Sequence, residues 1–175
     1  MRVIDEEGRE LPRGEIGEIV GRSGTMMVGY HNLPEKTAEA EWFDGDGLRF
    51  IRSGDTGRFD EDGFLILLDR KKDMIISGGF NVYPSDIEGV LCNHPDVAEV
   101  AVFGVPSERW GETPVACVVR RAGASVTAEE LKAWVNGRVG KAQRLSDLRV
   151  AASLPRSDIG KVLKRQLRDA HIAAG

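Results

Sequence analysis

Residues 69–88 read DRKKDMIISGGFNVYPSDIE, and the pattern changes three times along them. Asp69-Arg70-Lys71-Lys72-Asp73 are all charged. Such a run cannot form a core strand, so it reads as an exposed connector. Met74 to Ile76 is apolar and strand-like, and Gly78-Gly79 after it suits a tight turn. Pro84 then opens a helix, its fixed φ fitting a first turn, and Ile87, Val90 and Leu91 recur behind it at helical spacing.

On the N-terminal side of the connector the chain reads as β. Val3-Ile4, Gly17 to Val20, Met26 to Val28 and Phe64 to Leu68 are short apolar or alternating runs. Turn pairs separate them: Glu7-Gly8, Asp44-Gly45, Asp46-Gly47 and Asp62-Gly63. One helical piece, Pro34 to Ala40, interrupts these runs. On the C-terminal side the pattern is α+β. Val97 to Val105 and Pro114 to Val119 fit buried strands. Thr127-Ala128-Glu129-Glu130 is a capping-box pattern that opens a helix with Leu131, Trp134 and Val135 on one face. A short strand around Leu148 to Val150, a loop from Pro155 to Gly160 and a helix through Leu163 and Leu167 complete it. The expected fold class is α+β: a β-rich N-terminal part, then a small sheet covered by about three helices, compact from residue 73 to residue 171.

The 175 residues are 41% hydrophobic and 30% charged, with a formal net charge of -4. That balance describes a globular chain and argues against a nucleic-acid binder held by bulk electrostatics. The basic residues between Lys161 and Arg168 read as a solvated helix face. No apolar run approaches the roughly 20 residues that span a bilayer, and the first ten residues are acidic, so a cytoplasmic protein is expected. Cys92 and Cys117 lie in apolar helical and strand patterns without a CxxC pair, and both read as reduced core residues. His31, His94 and His171 are scattered, and no metal site is expected.

Three motifs, Arg52-Ser53-Gly54-Asp55, the run 69–88 and Pro155-Arg156-Ser157-Asp158-Ile159-Gly160-Lys161, together resemble the C-terminal signature of acyl-CoA synthetases, acid:CoA ligases of the adenylate-forming (AMP-binding) superfamily. The resemblance runs from about Val3 to Arg168. That family also carries a Ser/Thr/Gly-rich phosphate loop and an acidic ATP motif upstream, and nothing here resembles either. The resemblance therefore implies the last third of an enzyme. Residues 1–69 would end its large N-terminal domain in a β-barrel-like subdomain, 70–72 would be the hinge, and 73–175 the C-terminal small domain. The whole enzyme would convert a carboxylic acid, a fatty acid foremost, with ATP, Mg²⁺ and coenzyme A to acyl-CoA, AMP and pyrophosphate. The acid pocket and the Mg²⁺ and triphosphate sites would lie in the N-terminal domain, which is the expected partner, and the isolated chain is expected to be inactive.

By the same resemblance, Asp55 and Arg70 approach the ATP ribose, the carboxylate accepting from both hydroxyls. Taken alone, Asp55 after Ser53-Gly54 reads as a turn residue. Lys72 takes the hinge position, where a solvated, flexible side chain suits a large torsion change. Ser77, Gly78, Gly79 and Phe80 lack the GxGxxG of a dinucleotide site and read as a hairpin turn; the resemblance adds that this loop lines the channel for the pantetheine thiol. Trp110 matches a tryptophan that in some family members contacts coenzyme A, and packing and stacking are both open to it. Lys161, after Gly160 and at an expected helix start, matches the lysine that stabilises charge on the α-phosphate during adenylation. Where many members read Tyr-Lys-x-Pro, this chain has Ala142-Gln143-Arg144-Leu145, so a coenzyme A phosphate contact from that segment would rest on Arg144 alone. Two other readings stand beside this one: an adenylation domain serving another thiol acceptor, and a stand-alone interaction module without catalysis.

Overall fold

The computed structural model describes residues 1–174, which form two compact units, Met1–Lys72 and the chain from Asp73 onward.

The first unit is a five-stranded antiparallel sheet. Its strands are β1 (Arg2–Ile4), β2 (Gly17–Gly21), β3 (Glu41–Phe43), β4 (Arg49–Phe59) and β5 (Leu65–Arg70). The path runs β1-β2-β4-β3, with β5 also paired to β4. Ile4, Val20, Trp42 and Phe50 form its apolar centre. Trp42 and Phe50 meet edge to face at 5.3 Å, an arrangement that the ring quadrupoles favour. The one helix, α1 (Pro34–Glu39), buries no side chain.

Three expectations about local structure are corrected. Met26 to Val28 lies outside every strand: the carbonyls of Met27 and Val28 accept from the Arg49 guanidinium at 3.1 and 2.9 Å instead of from a ladder. Arg52 to Asp55 is not a turn but the middle of β4. Cys92 is exposed, because α2 turns its buried face, Pro84, Ile87 and Leu91, away from the next position. The charged knot is divided, Asp69 and Arg70 ending β5 and Lys71–Asp73 forming a 3₁₀ turn.

The second unit is α+β as expected. Its strands are β6 (Ile75–Ser77), β7 (Phe80–Val82), β8 (Val97–Ser107), β9 (Gly111–Arg120) and β10 (Asp147–Ala151), and its helices are α2 (Pro84–Cys92), α3 (Ala128–Asn136) and α4 (Lys164–Ala174). β8 and β9 form a long antiparallel hairpin, β10 joins β9 in parallel, and β6 meets β9 at Ser77 and Gly111. α2 and α3 put Ile87, Leu91, Leu131 and Val135 against Val102, Ala116, Val118 and Leu148 on one face. Each of these large side chains, fully buried, contributes about 1.5–3 kcal/mol. On the other face Ala101, Phe103, Val115 and Cys117 pack with Leu154, Val162 and Leu167 of α4. The capping box is present: Thr127 Oγ1 accepts from the Glu130 N–H at 3.2 Å, and Glu130 accepts from the Thr127 N–H at 2.8 Å.

Candidate active site

In the first unit, Asp55 and Arg70 stand directly opposite each other across β4 and β5. A bulge aims them. Between Glu18 and Val20 the β2 strand advances two residues while β4 passes from Thr56 to Arg52, and Gly54 inside that span has φ +72°. The Ser53 hydroxyl donates to the Ile19 carbonyl at 2.8 Å and accepts from the Asp55 N–H at 3.1 Å. Arg70 Nε lies 3.8 Å from Asp55 Oδ1, and both side chains are about half exposed. At that distance the pair is loose, so the carboxylate keeps lone pairs for outside donors and the guanidinium keeps donors for outside acceptors.

Glu18 was not singled out from sequence, yet its carboxylate is buried and takes Arg52 at 2.8 Å and Lys71 at 3.1 Å. A lone glutamate in a strand carries no mark of burial, since only the fold supplies the two cations. Lys71 is thereby tied down. Lys72, one residue on, is exposed and has no ion pair among the described residues.

In the second unit, β6 and β7 close through a two-residue turn in which Gly78 has φ +59° and Gly79 φ +82°, the type I′ geometry. The Gly78 N–H donates to the Trp110 carbonyl at 2.8 Å, and a Cβ on Gly78 would stand 2.8 Å from the indole ring. Glu112 ties this hairpin to α4, accepting from the Ile76 N–H at 3.1 Å and from Arg168 at 3.0 Å. Beside the turn is a cleft of about 580 Å³ lined by Ser77, Phe80, Arg109, Trp110, Lys141 and Arg144, among others. Ser77 is buried, whereas Phe80 and Trp110 are 67% and 47% exposed. The Arg109 guanidinium lies 4.7 Å from the Trp110 ring. Lys141 and Arg144 carry no ion pair among the described residues. Exposed aromatic faces beside unneutralised cations suit a ligand with both apolar or ring portions and phosphates. Arg144 is not the only cation of its segment here, because the 3₁₀ turn Lys141–Gln143 brings Lys141 to the same cleft.

Lys161 sits on a separate hairpin. The Gly160 N–H donates to the Ser157 carbonyl at 2.8 Å, the Ser157 N–H to the Lys161 carbonyl at 2.9 Å, and Gly160 has φ +80°. This is the three-residue hairpin whose glycine forms a bulge in the left-handed region. Arg156 and Val162 pair across its stem. Val162 packs inward and Lys161, next to it, is exposed without an ion pair among the described residues. The helix starts only at Lys164, so the helix-start expectation for Lys161 is corrected: the hairpin, not a helix end, presents it.

Burial raises the Cys117 thiol above its ordinary value, leaving it a packed, protonated side chain. His171 is lowered, by burial first and by Arg149 next, with Asp147 opposing. No group of three or more His, Cys, Asp or Glu side chains suited to a metal ion occurs among the described residues. Among them, too, no helix is long and apolar enough to cross a membrane.

Residues 86–161 match the family model described as AMP-binding enzyme C-terminal domain. The second unit therefore carries this domain. The matched residues of the AMP-binding domain take in Trp110, Arg144 and Lys161 and begin just after the glycine hairpin. Over 173 residues, 98% of its length, the chain is 44% identical to 4-coumarate--CoA ligase-like 9 of Oryza sativa subsp. japonica, covering 30% of that protein. Over 175 residues it is 39% identical to the medium/long-chain-fatty-acid--CoA ligase FadD8 of Mycobacterium tuberculosis, covering 96% of this chain and again 30% of the relative. The chain thus spans about a third of the length of the curated relatives it matches. Among solved structures, ATP-bound MatB from Rhodopseudomonas palustris superposes with a TM-score of 0.89 at 40% identity, over 97% of this chain and 33% of that one.

Proposed function

We propose that this chain is the C-terminal part of an AMP-forming acid–thiol ligase that makes an acyl-CoA through an acyl adenylate. The observation that carries the reading is the presence, in one small unit, of two hairpins with complementary chemistry. One offers a lysine without an ion pair among the described residues, and the other stands at the mouth of an aromatic and cationic cleft. In this reading residues 1–69 belong to a larger domain, 70–72 form a hinge at Lys72, and 73–175 form the small domain.

ATP supplies the adenylyl group. Asp55 accepts from the ribose hydroxyls and Arg70 adds donors beside it. The substrate carboxylate attacks the α-phosphorus and the bond to pyrophosphate breaks. Negative charge gathers on the phosphoryl oxygens, and the Lys161 ammonium, placed beforehand, stabilises it. Coenzyme A supplies the thiol. Phe80 and Trp110 give its chain an apolar wall, Arg109, Lys141 and Arg144 face its phosphates, and the glycine turn lets the backbone come close to the pantetheine arm. The sulfur attacks the acyl carbon, AMP leaves, and the thiol proton passes to solvent. Magnesium and the triphosphate would be held by the remainder of the protein, so the isolated chain is proposed to be inactive.

A fatty acid is the acid class we place first, supported by the likeness to FadD8. The cytoplasm, where ATP and coenzyme A are plentiful, is the proposed compartment. The test separates the half-reactions in a full-length protein carrying this chain, across a panel of carboxylic acids. Lys161→Ala should cripple pyrophosphate exchange and spare transfer from synthetic acyl adenylate. Lys72→Pro should do the reverse, because proline fixes φ near -65°. Equal slowing of both half-reactions by both variants would end the two-faced reading.

A further inference from the structure

Lys161 leaves a turn that little constrains sterically. A Cβ added at Gly160 would meet nothing within 4 Å, and Asp158, Ile159 and Gly160 at the tip are all exposed. Glycine in such a turn has the largest backbone freedom of any residue. The stem below is secured by Leu154 and Val162 in the apolar layer and by the Leu163 N–H donating to the Pro155 carbonyl at 2.9 Å. None of this holds the peptide that joins Gly160 to Lys161.

Two side chains do: the Ser157 hydroxyl accepts from the Lys161 N–H at 3.2 Å within the turn, and Arg156 connects the peptide to another element. Arg156 donates from one arm of its guanidinium to the Gly160 carbonyl at 2.7 Å and from the other to the carboxylate of Glu99 on β8. The planar fork spans two acceptors at once, which a lysine cannot do with the same geometry. Glu99 belongs to the central hairpin, paired with Val119 of β9. A rigid strand is thus connected, through two charge-assisted bonds, to the carbonyl that directly precedes Lys161. We infer that Arg156, braced by Glu99, is a positioning residue that holds the Gly160–Lys161 peptide and so aims the Lys161 ammonium.

The inference rests on the adenylation role proposed for Lys161. The Arg156 and Glu99 side chains are 45% and 41% exposed, so as a surface ion pair they add little to stability. Their effect lies in placement, where a displacement of about 1 Å can cost on the order of a hundredfold in rate.

The experiment uses a full-length ligase carrying this chain, with pyrophosphate exchange and transfer from synthetic acyl adenylate measured separately. Arg156→Met keeps the stem and removes the donors. It should lower kcat for pyrophosphate exchange about tenfold, leave KM for ATP and the acid within about twofold, and leave thioester transfer unchanged. Arg156→Lys should recover only part of the loss, and Glu99→Gln, which tests the same clamp should Arg156→Met fail to fold, should fall between the parent and Arg156→Met. In a Lys161→Ala background Arg156→Met should have no further effect on exchange, because its action passes through the lysine. A full further loss in that background, or equal loss in both half-reactions, would overturn the positioning role. If Lys161→Ala itself left exchange intact, the proposed function of Lys161 would fail first, and the clamp with it.

Discussion

Two short hairpins of the second unit, Ser77 to Phe80 and Ser157 to Lys161, depend on glycine for different reasons. In the first, both glycines have positive φ and one is also pressed against an indole ring, where a Cβ would come within 2.8 Å. In the second, a single glycine has positive φ and open space around it. One turn is defined by packing and the other by torsion, assisted by a side chain from its own stem. A surface that guides a ligand calls for a fixed wall, whereas a lone cation needs only to be aimed.

The largest effect that would sharpen this contrast comes from the cation itself. Lys161→Ala should lower pyrophosphate exchange by about 10²–10³-fold, as loss of one preorganised electrostatic contact does, with the KM for coenzyme A unmoved. Asp55→Ala comes next. Loss of the proposed ribose contacts, roughly 1.5–3 kcal/mol for a charged acceptor, should lower kcat/KM for ATP by about one to two decades in initial-rate measurements. An unchanged value would remove Asp55 from the ATP site. On the other hairpin, Trp110→Ala should raise the KM for coenzyme A by about three- to tenfold, in line with the loss of one aromatic contact, and leave exchange alone.

The glycines test the contrast directly. Gly160→Ala should cost about 1–2 kcal/mol, the penalty for a side chain in the left-handed region, with Gly160→Asn milder. Gly78→Ala should cost more, and the excess should vanish in a Trp110→Ala background, as read by thermal melting of both series. Equal costs in both backgrounds would show that packing does not define the first turn. The smallest effect belongs to His171, whose pKa is lowered in the fold. The unfolded chain then binds the proton more readily, so stability is retained above the ordinary value of 6.5 and falls as pH drops through it toward the lowered one. His171→Leu should flatten that acid-side decline in melts between about pH 7.5 and 5.5.

Much of the second unit was legible because its signals are local. The Gly78-Gly79 turn, Pro84 at a first helical position and the Thr127 capping box each depend on neighbours within a few residues, and each forms as read. Asp55 was misplaced for the opposite reason. Ser-Gly-Asp has turn chemistry, but β2 pairs with Arg52 and Thr56 on either side of it and makes it a bulge inside a strand. Met26 to Val28 has strand composition but no partner strand, and the Arg49 guanidinium takes its carbonyls.

The sequence by itself determined most of the element types, the family resemblance and the residues worth testing, because hydrophobic period, turn torsion and motif spacing are written along the chain. Only the tertiary structure decided which charges are neutralised. Glu18 gathers Arg52 from β4 and Lys71 from the 3₁₀ turn, Arg156 reaches Glu99 across 57 positions, and Lys72, Lys141, Arg144 and Lys161 are left without ion pairs among the described residues. Coulomb attraction depends on distance in space, and a sequence shows only distance along the chain.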